Sequence, residues 1–111
     1  MQRVAALCFA LMSLTCFTGC PRLSKLTNNG PNTVSISSNP DPVDPVLPLD
    51  VAPGDTVTIK WNFNPVTVFA VDRTTNKFDV FYNLNLARGG WDSFIEIEWT
   101  GTELIDHGPQ P

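Results

Sequence analysis

The sequence predicts an all-β fold: a small antiparallel β-sandwich of about six strands, held together without a disulfide. Three observations point to it. Beyond residue 33, apolar and polar residues alternate in short runs. Turns rich in Gly, Pro and Asn separate those runs. No helical period follows the N-terminal segment, and short strands at close spacing are the pattern of a sandwich.

The first run is Thr33 to Ser37, where Val34 and Ile36 alternate with hydroxyls. Pro40, Pro42, Pro45 and Pro48 come next and donate no backbone hydrogen bond, so this stretch belongs on an edge or rim. Leu47, Leu49 and Val51 share one parity and add a short edge strand. A turn at Ala52-Pro53-Gly54-Asp55 leads into the clearest strand, in which Val57, Ile59, Trp61 and Phe63 face the core. Thr56, Thr58, Lys60 and Asn62 face away.

Val66 to Val71 is apolar on both parities, which describes a strand covered on both faces or lying at an interface. A loop over Asp72 to Asn76 joins it to the run from Lys77 to Leu86. There Phe78, Val80, Tyr82, Leu84 and Leu86 share a face, and only Phe81 stands among the polar set. The glycines Gly89 and Gly90 permit a sharp turn. The last strand, Ser93 to Thr100, turns Ile95, Ile97 and Trp99 inward and Glu96 and Glu98 outward.

Ahead of this body stand Met1-Gln2-Arg3, an apolar run from Val4 to Phe17, and Thr18-Gly19-Cys20. One positive charge, a short apolar stretch and a small residue at the cut describe a secretory signal. The run is also shorter than the roughly 20 residues a membrane-spanning helix needs. With Cys20 directly after Gly19, the segment resembles a bacterial lipoprotein signal, whose lipobox ends in Gly-Cys or Ala-Cys. Phe17 departs from the leucine usual three residues before the cysteine. The resemblance implies cleavage between Gly19 and Cys20, a diacylglyceryl thioether on Cys20 and acylation, palmitate included, of the freed amine. Because Pro21 and not Asp follows the cysteine, it also implies an outer-membrane address.

On that reading, residues 1–19 are the signal peptide, 20–32 a lipidated flexible tether, 33–105 the β-sandwich and 106–111 a disordered tail. Cys8 and Cys16 leave with the signal, and Cys20 becomes a thioether, so no thiol remains. Residues 20–111 carry six cations against eleven carboxylates, a net charge of −5 with the amine blocked. An acidic chain does not suit nucleic acid, whose phosphates require a basic patch. Attachment to the membrane is therefore expected through the acyl chains on Cys20, two or more of which hold stably.

Few groups are left for chemistry. His107 is the single histidine, so neither a multi-histidine metal site nor a Ser-His-Asp arrangement is expected. No cofactor is expected either. The acids Asp41, Asp44, Asp50 and Asp55 match no calcium loop and read as turn residues. Glu96 and Glu98 lie about 7 Å apart on one exposed strand face, whereas glycosidase carboxylates line a cleft. Trp91 beside the two glycines is either a core residue, by parity with Ile95 and Ile97, or a loop aromatic for stacking. The phrase Val51-Ala52-Pro53-Gly54-Asp55-Thr56-Val57-Thr58 is similar to the strand entry of immunoglobulin-like and cupredoxin-like domains. The copper ligands of a cupredoxin have no counterparts here.

These readings describe a lipid-anchored, periplasm-facing envelope protein that acts by binding another envelope protein, as an assembly, stability or inhibitory accessory. A carbohydrate- or peptidoglycan-binding module is the second reading and a hydrolase the third. Val68 or Phe69, whichever is exposed, and Trp91 are the candidate binding residues. The anchor makes a direct prediction: Cys20→Ser abolishes acyl labelling and leaves an uncut precursor. Normal maturation of that variant, followed by immunoblot, would exclude a lipoprotein.

Overall fold

A computed structural model describes residues 22–89 and 92–111. Within them lie eight strands: β1 (Arg22–Asn28), β2 (Val34–Asn39), β3 (Leu49–Val51), β4 (Thr56–Trp61), β5 (Val66–Asp72), β6 (Lys77–Leu84), β7 (Phe94–Trp99) and β8 (Leu104–Gln110). They form two four-stranded sheets, β4-β1-β7-β8 and β3-β2-β5-β6. The sheets pack face to face around one core. This is the all-β sandwich that the alternating runs predict, with eight strands in place of six. Neighbouring strands are antiparallel except for β1 and β7, which run parallel.

Both additional strands correct sequence expectations. Arg22–Asn28 is a central strand of the first sheet and not part of a flexible tether. Its inward residues are Ser24, Leu26 and Asn28, all fully buried. Two of the three are polar, so the run shows no apolar alternation. Ser24 is tolerated inside because the Trp61 indole N–H donates to its hydroxyl at 2.9 Å, and a buried polar group so paired carries little penalty. Leu104–Gln110 is likewise an edge strand and not a disordered tail. Pro109 fits there because an edge strand has one side free of ladder bonds.

Inward-facing residues of both sheets fill the space between them. Ile59 and Trp61 from β4, Val34 and Ile36 from β2, and Ile95, Ile97 and Trp99 from β7 are buried as the alternation requires. Phe63 is not. β4 ends at Trp61 and the chain turns through residues 62–65, which leaves Phe63 55% exposed. Val57, nearer the strand's start, is half-buried.

The chain passes from the first sheet to the second through residues 29–33, and Asn28 secures that crossing. Its side-chain amide donates to the carbonyls of Asn32 (2.9 Å) and Val51 (2.8 Å). Its side-chain oxygen accepts from the Gly30 N–H at 2.8 Å. A Cβ on Gly30 would stand 2.8 Å from the Cα of Gly101, so only glycine lets these two connections meet. The opposite end of the sandwich is where β1 begins, β4 ends and β5 starts. A prediction tests the register. Ile59→Ala should lose about 2–5 kcal/mol in urea unfolding, whereas exposed Lys60→Ala should stay within about 0.5 kcal/mol.

Candidate functional site

The two outward faces of the sandwich differ in chemistry. On the first sheet, β1 and β4 present Lys25, Thr27, Thr58 and Lys60, while β7 presents Glu96 and Glu98. Thr27 and Thr56 share a hydroxyl hydrogen bond across the strands at 2.7 Å. This surface is largely polar, with Leu23 and Phe94 among its apolar members. On the second sheet β5 and β6 form an apolar patch on the outward face, beside Ser35, Ser37 and Asp50 of β2 and β3.

Strand register shows how that apolar face is built. Phe69 of β5 lies opposite Ser37 of β2 and Val80 of β6. One row along, Val71 lies opposite Ser35 and Phe78. Directly opposed residues share a sheet face, and Val68 and Ala70 are buried in the core. Phe69, Val71, Phe78 and Val80 therefore point outward, followed at the same parity by Tyr82. Phe78 and Tyr82 are each 69% exposed, and Phe69, Val71 and Val80 are half-buried between them. Four residues apart on one strand, the two exposed rings stand roughly 13 Å from each other.

Sequence parity had placed Phe78, Val80 and Tyr82 in the core with Leu84 and Leu86, and Phe81 outside. The structure reverses the first part of that strand. Phe81 packs against the core opposite Val68. Asp79 also turns inward, where its carboxylate accepts the Leu104 N–H of the first sheet at 2.8 Å. A register shift between Val66 and Val68 lies opposite Asn83, which adopts φ 54°. Asparagine tolerates that left-handed conformation better than most residues. The inserted residue switches the parity, so Leu84 and Leu86 return to the core. An asparagine between two apolar runs was the available signal.

Asp72 fixes the hairpin that carries this face. It is fully buried at the end of β5. Its carboxylate accepts the N–H groups of Thr74 (2.9 Å) and Thr75 (3.2 Å) and the Asn32 amide (3.1 Å). Burial pushes its pKa up, but the hydrogen bonds from Asn32, Thr75 and Thr74 outweigh burial and hold it below the ordinary carboxylate value.

Of the other candidate residues, His107 and Glu98 are brought together and Glu96 stands apart. His107 lies on β8, beside the register shift that β8 makes with β7. Its Nε2 meets Glu98 Oε1 at 2.7 Å, and Glu98 Oε2 accepts from Asn29 at 3.1 Å. The His107 hydrogen bond, with that of Asn29, lowers the Glu98 pKa against the effect of burial. Glu96 is not joined to them. Among the described residues no group of three His, Cys, Asp or Glu could hold a metal ion. Val68 is core and Phe69 is the outward member of the pair. Gly19, Cys20 and Trp91 lie outside the described residues.

No family model, curated protein or solved structure matches the chain.

A pH prediction follows from Asp72. Because its folded pKa is lowered, the charged carboxylate contributes stability above the ordinary carboxylate range, and that contribution is lost as pH falls through the folded pKa. Asp72→Asn should therefore lose stability less steeply than wild type between about pH 5 and about pH 2. Equal slopes in urea titrations would exclude Asp72 as a source of acid sensitivity.

Proposed function

We propose that the protein is a lipid-anchored envelope protein, facing the periplasm from the outer membrane, that acts by binding and carries out no catalysis. It captures another envelope protein as an assembly, stability or inhibitory accessory. The observation that carries the binding reading is the outward face of Phe69, Val71, Phe78, Val80 and Tyr82. Contiguous exposed apolar surface is uncommon on a soluble domain and marks an interaction site. Aromatic residues are also the side chains that dominate binding at protein interfaces. The address rests on the resemblance of residues 1–20 to a lipoprotein signal.

A second reading uses the same surface. Two exposed rings on one strand could stack on sugar rings, which favours peptidoglycan or another carbohydrate over a protein. The first reading is preferred because the half-buried aliphatic residues between the rings offer a continuous apolar strip and few hydrogen-bond partners. Sugars require such partners for their hydroxyls.

The test is crosslinking in membranes followed by co-purification, comparing wild type, Phe78→Asp, Tyr82→Asp and His107→Ala. Both aspartate variants should fold normally, since each site is largely exposed, and each should lose most of the captured partner. His107→Ala should retain it. Undiminished capture by both aspartate variants would exclude this face. Loss in the histidine variant, with its fold preserved, would restore an enzyme reading. Retention on purified peptidoglycan that the aspartate variants abolish would favour the second reading.

A further inference from the structure

We propose that the end of the sandwich nearest residue 22 is a membrane-docking surface, seated in the interfacial region of the bilayer that holds the acyl chains. This inference rests on the lipoprotein reading of Cys20 and says how the body stands on its anchor.

Chain length supplies the first argument. Strand β1 begins at Arg22, two residues after Cys20. Two residues of extended chain span at most about 7 Å. A lipidated Cys20 therefore brings the start of β1 to the lipid surface, and no long link separates the two.

The distribution of exposed apolar side chains supplies the second. Six large apolar residues are exposed among the described ones: Leu23, Val43, Val46, Phe63, Phe78 and Tyr82. The last two belong to the sheet face discussed above. The other four gather near the start of β1. Leu23 pairs with Lys60, and Trp61 pairs with Arg22. Phe63 follows Trp61 in the turn that closes this end. The N–H of Val43 donates to the Lys60 carbonyl at 2.7 Å, and Asp44 bridges to Lys60. That contact brings the 40–48 connection to this end and leaves Val46 86% exposed. In solution these side chains are left exposed to water; beside a lipid anchor, the bilayer interface would receive them.

Charge supplies the third. Strand register puts Arg22 and Lys60 at the residue-22 end, with Asp44 bridged to Lys60, and Arg88 is paired with Asp106. At the other end Asp50, Asp55, Asp72 and Glu98 stand in the rows of Ser35, Asn28, Val34 and Thr27, with Lys77 opposite Asp72. The carboxylates that strand pairing places thus lie mostly away from the anchored end, which reduces its repulsion from anionic headgroups.

The mature chain has no free thiol on this reading, so single cysteines can be labelled cleanly. Acylated protein would be reconstituted in vesicles of phosphatidylethanolamine and phosphatidylglycerol carrying spin-labelled lipids. Fluorescent labels would be placed at Val46→Cys, at Phe63→Cys and, at the opposite end, at Thr102→Cys. Mass spectrometry of the vesicle-bound protein would report the acyl chains. Labels at residues 46 and 63 should be quenched several-fold more than the label at 102. Equal quenching at the two ends of acylated protein would overturn the docking surface and leave the anchor standing. Absence of acyl chains would overturn both. Combining Val46→Asp with a label at Phe63→Cys should lower quenching, and unchanged quenching would show that Val46 does not enter the interface.

Discussion

The buried side chain of Asn28 is the constraint on which the rest of the sandwich depends. A sandwich must carry its chain from one sheet to the other without stranding backbone polar groups in the core. Asn28 does this at the end of β1. Its amide binds the carbonyls of Asn32 and Val51, which lie on the second-sheet side. Its own backbone accepts from Gly54 at 2.7 Å and donates to Asp55 at 2.9 Å, tying in the turn before β4. Asn32 then donates to Asp72, and Asp72 closes the β5–β6 hairpin. One connected set of hydrogen bonds therefore runs from a central strand of the first sheet to the turn that sets the register of β6. That register turns Phe78 and Val80 outward. The chemistry of the outer face depends on a buried asparagine at the far side of the core.

How legible this was in the sequence depended on which side chains did the packing. β4 was legible because Ile59 and Trp61 are apolar and inward while Thr58 and Lys60 are polar and outward. β1 was not, because two of its three inward residues are polar and paired inside the core. The position of Ser24 makes sense only beside Trp61, which is 37 residues away in the chain. Pairing at that distance leaves no local periodicity. β8 offers one buried apolar residue, Leu104, followed by Gly108 and Pro109, so its edge position hides it. In β6 the strand was found but its first half was reversed, since a single residue at Asn83 moves every earlier side chain to the other face.

The candidate site was partly legible for a related reason. Two-sided apolarity singled out Val66–Val71 before any partner strand was known, and it marks the strand at the middle of the apolar face. It could not say which parity was inward. Phe78 and Tyr82, the most exposed rings of that face, have the parity of core residues as far as Leu84 and Leu86. Only the inserted Asn83 separates them. Likewise, His107 fell in the expected tail, and only the pairing of β7 with β8 brings it beside Glu98, where the hydrogen-bonded pair lies on the outer surface.

The apolar surfaces of the molecule stand on different parts of it, and the difference bears on how they could be used together. The aromatic face lies on the side of the sandwich, on β5 and the edge strand β6. Leu23, Val43, Val46 and Phe63 lie at the end where β1 begins. A long flexible link at Cys20 would let the body tumble and present every surface equally. On the proposed lipoprotein reading, a lipidated Cys20 two residues before a central strand would fix the end of the sandwich at the lipid and direct its strands away from the membrane. The aromatic face would then stand roughly upright, reachable by a neighbouring protein in the same membrane. The edge position of β6 adds to this, because its unpaired backbone groups lie beside the same rings. A partner strand approaching there would meet main-chain hydrogen bonds and aromatic contacts in one surface, the combination that strand addition uses.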